Sequence, residues 1–224
     1  MFEKLQELPL LIGLSDSEMM EILENVKFEF NKYDEGATIV NQGDRCEKTI
    51  YILKGEICVD RRGGDMIFTE YVDKTPFLLE PENMWGMKQK YTHTYSFNTD
   101  GNTCSIDKKQ LSYMISRYGV MRTNLLSMVC NKLQTTNQAL QLPVSNDLEV
   151  RVIRYFSNNM LTKSGRKSIR VKMNTLADAV DATRLNISKV LNSWQEKNLV
   201  SLGRGMIEIP EFADILAISV KREA

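Results

Sequence analysis

The chain has 224 residues, of which 42% are hydrophobic and 26% are charged, and its 29 Lys and Arg balance its 29 Asp and Glu. This composition is typical of a folded globular protein and argues against an intrinsically disordered chain. No apolar run approaches the roughly 18 residues of a transmembrane helix, and the N terminus lacks the features of a signal peptide. We therefore expect a cytoplasmic protein with no membrane partner.

The charges are unevenly distributed along the chain. Residues 1–143 carry 16 Lys and Arg against 20 Asp and Glu, whereas residues 144–224 carry 13 against 9. Between residues 150 and 172 there are seven bases and no acid. An acidic half joined to a basic half suggests that the second half meets a polyanion, although such a run can also be a solvated face.

The N-terminal half changes from helical to strand-like patterns. Residues 3–25 are predicted to be helical, with Ser15 to Glu18 as a cap and an acidic first turn. From residue 28 to about 106, short runs rich in Ile, Val, Tyr and Phe alternate with glycine turns. The clearest strands are predicted at residues 38–40, 49–53, 56–59 and 66–72. Such spacing indicates an antiparallel barrel or jelly roll.

After Ile106 the pattern becomes helical for more than 30 residues. Apolar side chains with 3-4-3-4 spacing predict a short coiled-coil seam that pairs two copies of the chain. A neighbouring stripe of Met121, Leu125 and Met128 would pack on the barrel. An ordinary amphipathic helix that covers its own domain is the alternative. The predicted dimer-interface residues are Leu126, Val129, Leu133, Thr136 and Leu140.

Pro143 ends this helix because it lacks an amide hydrogen and clashes with the preceding turn. Residues 144–147 form a polar hinge with good capping residues for a new helix at about 148–159. We place a domain boundary at this hinge.

Residues 174–193 have the pattern of a helix-turn-helix. Ala177 is small where two crossed helices approach most closely, and Val180 to Ala182 would make the turn. Asp181 stands where many such turns have glycine, in a left-handed conformation that Asp tolerates. Thr183 is well placed to cap the second helix.

The second helix of this motif suits the major groove of DNA. Arg184 is expected to bind a guanine through two hydrogen bonds, and Lys189 to hold the phosphate backbone. Residues 199–209 read as a hairpin, a wing with Arg204 at its tip. The predicted DNA-binding residues are Thr175, Thr183, Arg184, Asn186, Ser188, Lys189 and Arg204.

Four further stretches occur in a specific order and spacing: Pro9 to Ser15, Tyr33-x-x-Gly36-x-x-Ile39-x-x-x-Gly43, Tyr51 to Glu56, and Lys132 to Asn137. Together with the winged helix-turn-helix, they make the whole chain resemble the bacterial cyclic-AMP receptor / fumarate-nitrate reduction regulator (Crp/Fnr) family.

The resemblance implies an α+β chain in three parts. These are a cyclic-nucleotide-binding-like β jelly roll as sensor (1–110), a dimerisation helix (111–143) and a C-terminal winged helix-turn-helix domain (144–224). It also implies a homodimer that binds a palindromic operator in double-stranded DNA under the control of an effector. An activator of this kind must also contact RNA polymerase, and no residue of the sequence identifies that surface.

The chain departs from the family in the phosphate-binding cassette. The family has a Gly-Glu pair and, further along, an Arg-Ser or Arg-Thr pair whose arginine neutralises the cyclic phosphate. Here Leu79 replaces the glycine before Glu80, and Lys90 offers a point charge instead of a planar fork. We therefore expect no cyclic-AMP binding at physiological affinity. The effector pocket that the resemblance implies comprises Glu80, as a ribose contact, with Lys90, Tyr91, Thr92, Thr136 and Asn137.

Three forms of control stay open: a non-nucleotide ligand, control by expression level alone, or a cyclic nucleotide held in an atypical way. No N-terminal cysteine cluster for an iron–sulfur centre is present, because the first of the four cysteines is Cys46. The only histidine, His93, is expected to be a surface or structural residue rather than a haem ligand. We therefore predict no metal and no cofactor.

Two other classes of protein were compared with this interpretation. A jelly-roll (cupin-like) metal enzyme usually needs two or three histidines and a carboxylate, but the chain has one histidine. A ligand-independent protein-binding module would use the helix-turn-helix for protein contacts. We expect no catalytic residues and no enzymatic activity.

Overall fold

The computed structural model describes residues 5–141, 143 and 145–223, with side chains as far as residue 220. The chain divides into two compact units. The first comprises Met1–Ile57 and Asp73–Gln141, and the second comprises Cys58–Val72 and Leu142–Ala224. Among the described residues, no helix combines the length and the apolar character that crossing a bilayer requires.

The first unit contains two groups of antiparallel strands and, among the described residues after residue 13, three α-helices. In chain order its elements are α1 (Asp16–Asn25), β1 (Glu29–Tyr33), β2 (Thr38–Val40), β3 (Lys48–Lys54), β6 (Phe77–Leu78), a 3-10 turn (Pro81–Met84), β7 (Thr94–Phe97), β8 (Gly101–Asp107), α2 (Lys108–Arg117) and α3 (Gly119–Gln141). The four-stranded sheet has the order β1-β8-β3-β6, and β2 pairs with β7. Antiparallel pairing of short strands is as predicted.

The predicted N-terminal helical region is only partly helical. Ser15 accepts a hydrogen bond from the amide of Glu18 at 3.3 Å, and Glu18 accepts one from the amide of Ser15 at 2.9 Å, so α1 begins with a capping box. Before it, residues 5 and 6 are helical and residues 7–13 form turns, and Leu5, Leu8 and other leucines are buried along this stretch. Residues 3 and 4 of the prediction lie outside the described residues.

The long helical region after Ile106 consists of two helices. Tyr118 has extended backbone angles, and its amide donates to the carbonyl oxygen of Met114, which ends α2. Gly119 follows and begins α3, which has 23 residues. Glycine is unfavourable inside a helix, and burial of the Tyr118 ring holds the break in place.

The second unit is a winged helix-turn-helix with an added hairpin. In chain order its elements are β4 (Ile57–Gly63, of which Ile57 is counted in the first unit), β5 (Met66–Val72), α4 (Leu148–Asn158), β9 (Lys167–Arg170), α5 (Met173–Ala179), α6 (Arg184–Glu196), β10 (Ser201–Gly203), β11 (Met206–Ile209) and α7 (Phe212–Glu223). Its strands have the order β10-β11-β9-β5-β4.

The β4–β5 hairpin is the main difference from the predicted organisation. It was placed within the sensor barrel of residues 1–110, but β5 pairs with β9 and places Phe68 opposite Ile169. Phe68 is 2% exposed and packs edge-on against Tyr155 and Phe156 of α4. Burial of this ring explains why the hairpin groups with the C-terminal residues. The three-part division itself stays a prediction.

Candidate nucleic-acid interface and effector site

The turn between α5 and α6 has the predicted geometry. Asp181 has a φ of 51°, in the left-handed region. The amide of Ala182 donates to the carbonyl oxygen of Ala177 at 2.9 Å, and Ala177 is buried. A small side chain at this position lets the two helices approach each other closely.

The helix α6 is capped and locked in place by its inward face. Thr183 accepts a hydrogen bond from the amide of Asn186 at 3.3 Å, as predicted. Ile187, Leu191 and Trp194 are fully buried. The indole nitrogen of Trp194 donates to Glu149 Oε1 on α4 at 2.5 Å. The orientation of α6 is therefore set by packing and by one buried polar contact.

The predicted DNA-binding side chains on α6 face outward. Arg184, Asn186 and Lys189 are exposed and Ser188 is half-buried, in agreement with the face predicted for this helix. Leu185 is 65% exposed, which is unusual for an apolar side chain beside a packed core. Thr183 and Arg204 are exposed, while Thr175 on α5 is half-buried. An exposed apolar side chain such as that of Leu185 can contact a thymine methyl group.

Three cations on this surface have no partner within the described part of the chain. Arg184, Lys189 and Arg204 make no hydrogen bond or ion pair there and are exposed. Cations in this state are available for phosphate oxygens or base edges.

Arg170 is a fourth such cation, and it was not singled out from the sequence. It is exposed at the end of β9, opposite Met206 of the wing strand β11. The next amide, that of Val171, donates to the carbonyl oxygen of Gly205 at 3.0 Å. Arg170 therefore lies beside the wing turn that carries Arg204. The only feature of the sequence that could have indicated Arg170 was its place in the basic run between residues 150 and 172.

Several other bases of the run between residues 150 and 172 have partners within their own unit. Lys167 is fully buried and pairs with Glu70 at 2.8 Å. The guanidinium of Arg166 lies 3.6 Å from the centre of the Tyr71 ring. Lys172 pairs with Asp65 at 3.1 Å. The hairpin supplies all three of these partners.

The predicted dimer-interface residues lie mostly on an exposed side of α3. Leu126, Leu133 and Leu140, spaced seven residues apart, are 64%, 57% and 76% exposed. Val129 is half-buried, and Thr136 is exposed and donates to the carbonyl oxygen of Lys132 at 2.9 Å. This seam of leucines is not covered within the first unit.

The neighbouring stripe on α3 packs inward. Met121 is fully buried, and Leu125 and Met128 are half-buried. Asn124 donates to the carbonyl oxygens of Leu10 and Ile12, at 3.2 and 2.8 Å. The helix is thus attached to the first unit by one face and presents leucines on another.

The carboxylate of Glu80 is fully engaged by its own unit. Oε1 accepts from His93 Nδ1 at 2.5 Å and from the Tyr95 hydroxyl at 3.1 Å. Oε2 accepts from the amide of Thr92 at 2.7 Å and from the side-chain amide of Asn83. Four donors fill the acceptor positions of one carboxylate. Glu80 therefore holds the cassette together here and has no free position for a ribose hydroxyl.

Burial raises the pKa of Glu80, but the hydrogen bonds that its carboxylate accepts lower this pKa by more. The bonds from His93 and from the Thr92 amide lower the pKa of Glu80 below its ordinary value. His93 is itself buried, at 7% exposure, so of the predicted surface or structural roles only the structural one agrees with its position.

Of the other predicted effector residues, only Thr92 bonds Glu80, through its backbone amide. Lys90, Thr92, Thr136 and Asn137 have exposed side chains, whereas Tyr91 is buried. The Tyr91 hydroxyl donates to the carbonyl oxygen of Lys48 at 3.2 Å. Within the described residues, no group of three His, Cys, Asp or Glu side chains is arranged to hold a metal ion.

No protein-family model matches the chain. The sequence is 22% identical over 179 residues to the cAMP-activated global transcriptional regulator CRP of Salmonella typhimurium, which covers 76% of this chain and 84% of that protein. The fold is similar to that of the Thermus thermophilus catabolite activator protein, with a TM-score of 0.54, 20% identity, and 95% and 99% of the two chains covered. A transcriptional regulator of the Crp/Fnr family from Eubacterium rectale gives a TM-score of 0.52, 14% identity, and 95% and 98% coverage.

These similarities confirm the resemblance to the Crp/Fnr family that the sequence motifs indicate. They also confirm the predicted α+β fold, with a cyclic-nucleotide-binding-like barrel and a helix-turn-helix. The proteins named are transcription regulators.

Proposed function

We propose that this chain, which resembles the Crp/Fnr transcription regulators in sequence and fold, is a cytoplasmic homodimer that binds a palindromic operator in double-stranded DNA. The helix α6 reads the bases in the major groove, and the wing holds the flanking phosphates. The barrel regulates this binding through an effector other than cyclic AMP.

One observation carries the proposal: the two faces of α6 are sharply different. The inward face is buried as far as Trp194, whereas Arg184, Asn186 and Lys189 near its N-terminal end are exposed. A capped helix with free polar side chains at this end is the element that helix-turn-helix proteins insert in the major groove. Arg184 would bind a guanine through its two-pronged guanidinium.

The exposed leucine seam on α3 supports the dimer. Leucines at intervals of seven residues form the apolar side of a two-helix coiled coil. A dimer with two-fold symmetry requires a palindromic site, with half-sites about 10 base pairs apart or a multiple of that distance.

Selection of bound duplexes from a random DNA pool tests the proposal directly. We expect enrichment of an inverted repeat, bound with an affinity that falls steeply between low and high salt because phosphate contacts release counterions. Lack of any enriched duplex, or a weak dependence on salt, would contradict it and favour a protein-binding module.

Three features argue against cyclic AMP as the effector. Leu79 replaces a glycine, the acceptor positions of Glu80 are filled, and Lys90 is an exposed point charge. Loss of the charge-assisted arginine pair costs about 2–5 kcal/mol, which is enough to abolish useful binding. Calorimetry with cyclic AMP is expected to show no binding at micromolar concentrations. A micromolar or tighter dissociation constant would overturn this part of the proposal.

A further inference from the structure

The barrel contains a cleft that is separate from the cassette around Glu80. Its volume is about 310 Å³, and residues of β1, β2, β3 and β8 line it, together with Tyr91. All of them belong to the first unit. Clefts of this size are within the range that holds small molecules. Of the six effector residues predicted from the sequence, only Tyr91 is part of its lining.

Two hydroxyl groups in the lining have no partner among the described residues. Thr103 and Ser105 of β8 are 1% and 4% exposed, and they point to the same side of the sheet because they are two residues apart. Neither side chain makes a hydrogen bond with any residue that the structure describes, and neither hydroxyl is among the fully buried atoms without a partner, so both open onto the cleft. A hydroxyl that opens onto a cleft and has no protein partner is available to hydrogen-bond a ligand there.

The opposite face of the same sheet provides a contrast. Thr49 of β3 is 2% exposed, and its hydroxyl donates to the sulfur of Met84 at 3.6 Å. Thr49 does not line the cleft. Thr49, on the packed face of this sheet, therefore has a hydrogen-bond partner, whereas Thr103, on the face that lines the cleft, has none.

The amide and aromatic groups of the lining suit a hydroxylated ring. Asn31 is paired in register with Thr103, which places its side chain beside the hydroxyl. The Tyr33 ring is held against Phe97, with ring centres 5.3 Å apart, and Tyr91 is held by its bond to the Lys48 carbonyl. Aromatic walls pack against the apolar face of a ring, while amides and hydroxyls bond its edge.

The charges in the lining are already neutralised. Arg45 lies 3.8 Å from Glu47, and Lys48 pairs with Glu29 at 2.5 Å. An anionic ligand would have to break one of these pairs, which an uncharged ligand need not do. The cleft therefore favours uncharged molecules.

We propose that this cleft is the effector site, and that it binds an uncharged ring compound carrying hydroxyl groups, the chemistry that nucleosides and monosaccharides share. The regulatory role of the bound molecule rests on the proposed function, whereas the binding itself does not. The ligand bonds the hydroxyls of Thr103 and Ser105 and the amide of Asn31.

The test is calorimetry on the full-length protein with adenosine, uridine, glucose and galactose as uncharged probes and cyclic AMP as the anionic probe. We expect at least one uncharged probe to bind, and the responding class identifies the source of the ligand. Thr103→Val, which removes one hydroxyl at constant size, should weaken that binding about tenfold or more. Thr49→Val is the matched control, since it removes a buried hydroxyl outside the cleft and should leave the affinity unchanged.

Three results would overturn the proposal. They are no binding of any uncharged probe at millimolar concentration, equal affinity in the wild type and Thr103→Val, and preferential binding of cyclic AMP. Circular dichroism of each variant separates a lost contact from a lost fold, and Ser105→Ala provides a second variant at the same cleft. The outcome of the DNA selection does not depend on ligand binding at the cleft. Failure of the proposed regulator function would therefore be distinguished from failure of the cleft proposal.

Discussion

The carboxylate of Glu70 and the ammonium of Lys167 lie 2.8 Å apart, with side chains that are only 2% and 0% exposed. Glu70 also accepts hydrogen bonds from the amides of Leu161 and Thr162 and from the Thr162 hydroxyl, at 2.5, 2.9 and 2.9 Å. The two charges come from distant parts of the sequence and meet because β5 pairs with β9. The hairpin is thus bonded into the second unit by a buried ion pair.

This pair predicts a strong effect on stability. Glu70→Gln should lower the free energy of unfolding of the second unit by about 3–5 kcal/mol, because it leaves the buried ammonium without its counter-charge. Denaturant unfolding of the full chain, followed by Trp194 fluorescence, measures it. Asp65→Asn breaks an exposed pair with Lys172 and should cost about 0–1 kcal/mol. Equal costs for the two variants would show that burial of the Glu70 pair has no energetic consequence.

The exposed position of Arg184 leads to a prediction about the base specificity of helix α6. Its change to Ala should reduce discrimination between the selected operator and a duplex with one altered guanine by about 1–3 kcal/mol. The fold should be unaffected, because Arg184 is exposed and makes no hydrogen bond or ion pair within the described part of the chain. Competition gel shifts measure the discrimination. Unchanged discrimination in a folded variant would mean that α6 does not read bases.

Arg170 and Arg204 predict the phosphate contribution of the wing. Either change to Ala should weaken binding to all duplexes alike and lower the slope of the salt dependence by about 1. Lys197 is the matched control, since it is an exposed base just after the C-terminal end of α6. Affinity measured at several salt concentrations gives both slopes. A change of slope for Lys197→Ala but not for the wing arginines would place the DNA elsewhere.

Leu133 predicts the oligomeric state. Leu133→Asp puts a charge into the proposed seam of α3 and should convert the dimer to a monomer, because burial of an unpaired charge is costly. Asn131→Asp adds the same charge at an exposed position outside the leucine seam and should leave the dimer intact. Sedimentation equilibrium distinguishes them. If the mass of Leu133→Asp stays that of the wild type, the seam is not the interface.

Glu80 predicts an acid-sensitive first unit. Its pKa is lowered below the ordinary 4.5 by the hydrogen bonds from His93 and Thr92, against the opposing effect of burial. A carboxyl of this kind contributes stability that is fully present above its unfolded pKa and is lost as the pH falls through its folded pKa. Unfolding of the wild type should therefore become easier below about pH 4.5.

Glu80→Gln cannot gain or lose that charge, so it should lose less stability than the wild type over the same pH range. Thermal unfolding at pH 3 to 6 measures the difference. Glu24→Gln, which alters an exposed carboxyl of α1, should follow the wild-type profile. Parallel profiles for Glu80→Gln and the wild type would contradict the assigned role.

The local features of the helix-turn-helix could be read from the sequence. The cap at Thr183, the left-handed Asp181, the small Ala177 and the buried Ile187 depend on neighbours within a few residues, and backbone geometry imposes the same requirements on any chain. The seven-residue spacing of the α3 leucines is equally local. For this reason the fold and the outward-facing side of α6 agree with the prediction.

Only the tertiary structure decided which charges are free. Lys167 and Arg170 are three residues apart in one basic run. Lys167 is buried in an ion pair with Glu70, whereas Arg170 is exposed beside the wing. The difference depends on a hairpin almost 100 residues away, and no local pattern encodes that pairing. Tertiary packing likewise fills the acceptor positions of Glu80, with partners up to 15 residues further along the chain, and opens the cleft at Thr103. Long-range packing determines where polar groups are satisfied, because a side chain has the same intrinsic chemistry whether or not a partner reaches it.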